Sequence, residues 1–293
     1  MQVVTREITV NSRADVIKIT PIGDVHIGGR DCDKELLDRC IDKIAGDENH
    51  FWLGMGDFGE FINFRDKRFD PEELDHELKI SDLANLPRVQ SDMIGRRLHK
   101  IRSKCLGLLC GNHEETIRIR HEQDIHWNLC HAVYDRDNDF GIQSPNGYDL
   151  GYSAIIRLRI KRADTSRVLY IYAHHGAGGG RKTGGKINRL EDAAISFPDC
   201  QMYLMGHVHD KAAWVKPALH IADRSDTLVQ KFRAYGITGT FKKTYEQGSR
   251  GYGEKVMYPA TALGVISFVI HPFPNGDAPM QIDAFNSTSG LPA

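Results

Sequence analysis

The side chains best suited to chemistry in this 293-residue chain fall in five short clusters. They are Gly23-Asp24-Val25-His26, Gly56-Asp57, Gly111-Asn112-His113-Glu114, His174-His175 and Gly206-His207-Val208-His209. Carboxylate, imidazole and amide oxygen together suit manganese, iron, zinc or nickel better than calcium or an all-oxygen magnesium site. In Asp-x-His and His-x-His the two side chains share a face if the segment is extended, because residues i and i+2 point the same way. One ion can then be gripped by both members of a pair. The number of candidate ligands suits two ions rather than one. Ions about 3.5–4 Å apart need a shared ligand, and a carboxylate bridges where a neutral imidazole normally does not. Asp57, a lone carboxylate beside glycine on a tight loop, is the natural bridge. Such a pair clamps a phosphate, polarises phosphorus and lowers the pKa of a water so that hydroxide forms near neutral pH. The leaving alkoxide then needs a proton. His113, next to Asn112 but not needed as a ligand, is placed to supply it.

These residues need a frame that brings them together. Val16 to Ile22, Phe51 to Met55, Cys105 to Cys110, Val168 to Ala173 and Met202 to Met205 are short apolar runs, and each cluster follows one of them. Residues 32–46 carry helical spacing. Pro71 to about Arg102 reads as one or two helices interrupted near Pro87, and a further helix runs from the third cluster to about Ala132. Tyr152 to Ile160 reads as a strand, 187–195 as a helix, and Ala262 to Ile270 as a buried strand. After residue 209 the pattern is short strand-like pieces with turn signals. Alternating strand, loop and helix favours α/β units around a largely parallel sheet, with functional groups beyond the carboxyl ends of the strands. The expectation is an α/β chain of two packed β-sheets in a single domain over 1–293. Its motif-bearing core covers about 16–215, and a strand-rich part from 216 completes the second sheet.

The ordered set GDVH, GD, GNHE, a strand-terminal His and GHVH resembles the calcineurin-like metallophosphoesterase superfamily. The motifs span residues 23 to 209 and leave about the last 80 residues outside. The resemblance implies a sandwich of two β-sheets flanked by helices, in four layers, with a dinuclear centre at one rim. Carried over position by position, Asp24, His26, Asp57 and His209 resemble the ligands of one ion. Asp57, Asn112, His174 and His207 resemble those of the other, and His113 looks like the family's catalytic histidine. His175 is the alternative to His174, since neighbours on a strand point to opposite faces. The second motif departs from that of the family's Ser/Thr protein phosphatases: Gly56-Asp57-Phe58-Gly59-Glu60-Phe61 lacks their second Asp and their Arg, which argues against a phosphoprotein substrate. The long stretch 58–104 is then expected to form a substrate wall.

The rest of the composition narrows the function classes. Hydrophobic residues make up 41% and charged residues 26%, an ordinary globular mix that excludes a disordered or low-complexity chain. With 38 Lys and Arg against 39 Asp and Glu the net charge is −1, so any affinity for nucleic acid must come from a local patch. The glycine-rich stretch 176–186 holds Arg181, Lys182 and Lys186 beside His174 and His175. It reads as a basic flap contacting substrate phosphates, with His175 nearby, or as a solvated loop. Gly180 to Lys186 matches a phosphate-loop pattern, but Ile187 follows the lysine where that loop needs Ser or Thr. Residues 241–258 interleave Lys242, Lys243, Tyr245, Arg250 and Tyr252, a pattern that suits stacked bases and phosphates, or the polar edges of a hairpin. The basic group at 96–104 reads as a solvated helix face. The six cysteines lack paired metal spacing and read as reduced, mostly buried thiols.

Together these features predict a phosphoesterase using two divalent transition metal ions, manganese foremost. Its expected substrates are phosphodiesters of nucleic acid or nucleotides. The alternatives are a small-molecule phosphomonoesterase, a cyclic-nucleotide phosphodiesterase, or a scaffold that has lost catalysis. The N-terminus has no apolar signal core and no stretch approaches the ~18 apolar residues of a membrane span, so a cytoplasmic protein without a membrane partner is expected.

Overall fold

A computed structural model describes residues 1–135, 140, 142–178, 182–221, 226–248, 251–274 and 278–293. Twelve strands are described: β1 (Gln2–Thr9), β2 (Ile17–Ile22), β3 (His50–Gly54), β4 (Cys105–Leu108), β5 (Ser153–Arg162), β6 (Thr165–His174), β7 (Met202–Met205), β8 (Lys211–Ile221), β9 (Leu228–Thr240), β10 (Gly264–Val265), β11 (Ser267–His271) and β12 (Gln281–Phe285). The helices are α1 (Lys34–Ala45), α2 (Leu86–Leu98), α3 (Asn112–His121), α4 (Ile125–Val133), α5 (Thr183–Ser196) and the short α6 (Tyr252–Lys255). One sheet has the order β12-β11-β2-β3-β4; the other runs β1-β5-β6-β7-β9-β10, with β8 also paired to β9. The α/β class with two sheets flanked by helices, expected from the sequence, is what the structure shows.

Alternation along the strands builds the layers. In β7, Met202 and Leu204 enter the main core between the sheets, whereas Tyr203 and Met205 face outward into a second cluster with Leu190 and Ala194 of α5. Ala154, Ile156, Leu158 and Ile160 of β5 point into the main core and their neighbours point out. On the far side, α1 closes the other sheet with Leu36, Leu37, Cys40, Ile41 and Ile44, all on one stripe. Strands β2, β3 and β4 are mutually parallel, as are β6, β7 and β9. Their carboxyl ends therefore open on one rim, where the five clusters follow.

Several local expectations change. Pro87 does not interrupt a helix; it stands in the first turn of α2, where its missing N–H costs nothing. The stretch before it forms only short 3₁₀ turns, 71–73 and 80–85. The helix expected after the third motif is two helices, because Glu122 adopts a left-handed conformation (φ 55°) and ends α3. The apolar run Ala262 to Ile270 is split between β10 in one sheet and β11 in the other. The pieces after residue 209 are not short: β8 and β9 pair along their full register from Lys211↔Thr238 to Ile221↔Leu228. The sequence reading passed over β1, which pairs with β5 in parallel. All six cysteines are free; Cys110 is half-buried and the others are buried. Among the described residues, no helix is long and apolar enough to cross a membrane.

A buried polar stitch joins three strands of the smaller sheet. Thr20 Oγ1 lies 2.7 Å from His50 Nε2 and 2.7 Å from Ser267 Oγ. Burial pushes the His50 imidazole down from the ordinary 6.5 to about 4. The folded chain thus refuses a proton that the unfolded chain accepts, so this stability is present above about pH 6.5 and is lost as pH falls toward 4. The loss should be on the order of 3 kcal/mol over that window. Urea melts across the same pH range check it: His50→Gln should flatten the slope relative to the wild type.

Candidate metal and phosphoester site

The loops at the rim are built for close approach. Five of the nine non-glycine residues with positive φ among the described residues are Asp24, His26, Asp57, His207 and His209. Such backbone persists only where packing enforces it, and it gathers at functional sites. The two Asp-x-His and His-x-His segments are therefore not extended. Left-handed residues at alternate positions, rather than strand pleating, set the direction of each side chain. Asp24 and His26 still come together. His207 and His209 part, each joining a different cluster.

The first cluster is Asp24, His26 and His209, with ligand atoms all within 4.8 Å of one another. His26 Nε2 lies 3.0 Å from His209 Nε2, and His209 Nε2 lies 3.3 Å from Asp24 Oδ1. The second is Asp57, His175 and His207. His175 Nε2 is 3.4 Å from Asp57 Oδ2 and 3.1 Å from Asn112 Oδ1. Backbone donors tie the ligands down: His207 N of the second cluster donates to Asp24 Oδ2 of the first (2.8 Å), and His113 N, at the start of α3, donates to Asp57 Oδ1 (2.9 Å).

One expected ligand is corrected. His174 is the last residue of β6 and shares the outer face with Tyr172, whereas Ala173 and the next inward position, His175, face the space between the sheets. His174 Nδ1 instead accepts from Gly176 N at 2.7 Å. His175 is fully buried and occupies the place in the cluster, not a position on the substrate side. Strand parity decides this, as a shift of one residue reverses the face.

The donor set fits divalent transition ions. Asp24 Oδ1 and His207 Nδ1 are buried without a hydrogen-bond partner, a costly condition that a cation would relieve. The histidines are also oriented as ligands are. His175 Nδ1 donates to the Met55 carbonyl (2.7 Å), which leaves Nε2 turned to Asp57. His26 Nδ1 lies 2.9 Å from Glu60 Oε2, which leaves Nε2 turned to His209. Such partners for the remote ring nitrogen fix tautomer and ring angle. Burial pushes His26 down to about 4, so it is neutral at pH 7. Burial opposes charge on His175 too, but the Asp57 carboxylate raises it to about 9. Burial alone would raise Asp57, yet His113 and His175 hold it well below the usual carboxylate range.

The sequence reading passed over two acidic residues. Glu114 is buried, and its carboxylate accepts from Asp57 N (3.0 Å), Phe58 N (2.7 Å) and Gly111 N (2.9 Å). It locks the second motif to the third. Glu114→Ala strips the acceptor from three backbone donors and should cost about 3 to 5 kcal/mol, read as a fall in the urea midpoint. Glu60 fills the gap in the second motif. Its carboxylate meets His26 and, at 2.6 Å, Lys242 Nζ; its carbonyl accepts from His113 Nδ1 at 2.5 Å. Lys242 also lies 3.6 Å from Asp31. The signal for Glu60 was its place three residues after Asp57; Lys242 stood out only in the basic and aromatic pattern at 241–258, which gave no sign of its pairing with Glu60.

Packing at the rim requires glycine at two positions. A Cβ on Gly111 would lie 2.2 Å from Asp57 Oδ1, and one on Gly56 (φ 89°) 2.6 Å from His175 Nδ1. Beside the clusters opens a cavity of about 630 Å³. His113, His207 and His209 face it, with walls from residues 60–74 and from 242–261. The stretch after Asp57 does form a wall, from its first part. Lys186 lines the cavity while its Nζ reaches the Val208 carbonyl (3.1 Å) and Asp210 Oδ2 (3.3 Å). Lys182 is exposed at the start of α5 and is not among the lining residues. The glycine-rich stretch is thus not one loop, since Gly184, Gly185 and Lys186 belong to the first turn of α5. Arg181, Arg250 and the Tyr252 side chain lie outside the described residues.

No protein-family profile and no curated protein matches the chain. Among solved structures it overlaps a conserved uncharacterised protein, a predicted phosphoesterase from Streptococcus pneumoniae TIGR4, with 10% sequence identity and a TM-score of 0.31. The overlap covers 92% of this chain and 99% of that one.

Proposed function

We propose that this chain is a metal-dependent phosphoesterase, acting on phosphodiesters of nucleotides or nucleic acid. The observation that carries the reading is the pair of adjoining carboxylate–histidine clusters, Asp24/His26/His209 and Asp57/His175/His207, with His113 on their cavity side. Asn112 adds an amide oxygen to the second cluster. The resemblance makes Asp57 the carboxylate that would serve both. These residues would hold two divalent ions, manganese the first to try, whose charge would polarise a phosphoryl group and lower the pKa of a water.

The chain's own groups do the remaining work. Glu60 holds His113 through its carbonyl, so Nδ1 carries a proton and Nε2 is the nitrogen free to face a substrate. A proton held at Nε2 passes to the departing alkoxide. Glu60 positions His26 with the same residue, so ligand and acid keep one relative placement. Lys242 neutralises Glu60, whose carboxylate burial would otherwise protonate. The protein-phosphatase arginine missing from the second motif has a cationic counterpart in Lys242, delivered by the last third of the chain.

Hydrolysis of bis(p-nitrophenyl) phosphate against p-nitrophenyl phosphate, after metal is stripped and Mn²⁺ restored, tests this reading. Manganese-dependent cleavage of the diester is the expected result. Cleavage of the monoester alone would replace it with a small-molecule phosphatase. No turnover of either by the metal-loaded protein would favour a silent binding scaffold.

A further inference from the structure

The cavity has a side that the metal clusters do not account for. Its inner end is polar, with His113, His207 and His209. Its walls set a few apolar and aromatic side chains among charged ones: Phe69 and Leu74 beside Lys67, Arg68, Asp70 and Glu73 on one side, Tyr258 and Pro259 near Lys255 on the other. The walls come from distant parts of the chain and are joined by an ion pair, Lys255 Nζ to Asp70 Oδ2 at 3.6 Å. Lys67 lies on the first wall and pairs with no carboxylate among the described residues. The volume of about 630 Å³ sits within the range of pockets for one small ligand, roughly 300–1,000 Å³. A duplex nucleic acid instead needs an extended face, burying roughly 1,000–2,500 Å² of protein.

We propose that the cavity takes one unpaired nucleotide, with its phosphate at the His113 end and its base against Phe69 and Tyr258. The proposal rests on the phosphoester reading above and adds the substrate class. Aromatic faces stack on any base because every base has a flat π-surface. A phosphate ester without a flat group would leave these walls in water. The phosphate goes to the opposite end, where the histidines of the candidate metal clusters lie, and Lys67 adds a cation at the wall. The nucleotide can be free or can be the end of a single strand. Walls tied across by Lys255 and Asp70 admit an end and not the middle of a chain.

Equilibrium binding tests this separately from turnover. Thymidine 5′-monophosphate and ribose 5-phosphate are titrated into the full chain by calorimetry, with and without Mn²⁺. The nucleotide should bind about tenfold more tightly or better. Phe69→Ala should remove most of that advantage and leave ribose 5-phosphate binding unchanged. Phe69→Leu, which keeps the wall filled, makes the same comparison if the alanine variant does not fold. Equal affinity for the two ligands, or an equal loss of both in the variants, overturns the proposal. It would do so even if bis(p-nitrophenyl) phosphate is cleaved, whereas failure of that cleavage with the base preference intact overturns only the phosphoester reading. Linear and covalently closed single-stranded DNA then serve as competitors. Competition by the linear strand alone assigns the strand end, and competition by neither assigns the free nucleotide. Equal competition by the circle overturns the end-only cavity.

Discussion

His113→Ala should keep its metal ions and lose about 10²- to 10⁴-fold in turnover on diesters with alkoxide leaving groups. The geometry makes the two outcomes separable. Its backbone N–H donates to Asp57 Oδ1 and survives the substitution, while its ring groups with His26 and Glu60 and not with Asp57, His175 or His207. The side chain rests with Nδ1 on the Glu60 carbonyl and the ring edge-on to His26, centroids 4.7 Å apart. Removing it therefore takes away a proton donor and leaves the ligands in place. The defect should shrink on bis(p-nitrophenyl) phosphate, because p-nitrophenolate departs without a proton. Metal content by atomic absorption, beside rates on a good and a poor leaving group, checks all three points. Full activity of His113→Ala on the poor leaving group would remove it from the role of acid.

Asp57→Ala should behave in the opposite way, losing metal first and activity as a consequence. A drop of at least about 100-fold in Mn²⁺ affinity is expected, since replacing mere outer partners of a metal site costs 10- to 100-fold. Asp57 is 1% exposed and its carboxylate touches both His113 N and the His175 ring. It is also the main reason His175 is held near 9 despite burial. Without the carboxylate, burial governs His175 and its pKa falls, so the imidazolium is lost together with the carboxylate and the net charge at neutral pH stays the same. Asp57→Asn keeps an oxygen for His113 N and separates loss of charge from loss of the helix contact. Calorimetric titration with Mn²⁺ on the three proteins reads the series. Undiminished affinity in Asp57→Asn would show that the carboxylate charge is not what holds the metal.

The two variants also separate what local sequence can reveal from what it cannot. That Asp24, His26, Asp57, Asn112, His113, His207 and His209 would lie near one another was legible, because each follows an apolar run and parallel strands open their carboxyl ends on one rim. The α/β class and the two-sheet layering were legible for the same reason. Alternating apolar positions declare a buried face wherever the chain pairs. Glu114 was visible in its motif, yet its task was not. The three amides it accepts from belong to two loops that only folding brings together.

Other features were settled by tertiary structure alone. The choice of His175 over His174 turned on where β6 stops relative to its neighbours, a register that β5 and β7 set through pairing across the sheet. The parting of His207 from His209 followed from left-handed backbone that packing imposes against the preference of both residues. The split of Ala262 to Ile270 between two sheets left no mark in its hydropathy, since both halves are buried. Lys242 and the Tyr258 wall reach the site from the last third of the chain; the basic and aromatic pattern at 241–258 gave no sign that Lys242 would pair with Glu60. Residue types and their spacing thus determined which groups could do chemistry and the kind of frame that holds them. Which nitrogen faces which oxygen, and what encloses the cavity beside them, depended on contacts between segments far apart in the chain. No local pattern encodes such contacts, because their free energy exists only once the two sheets have packed.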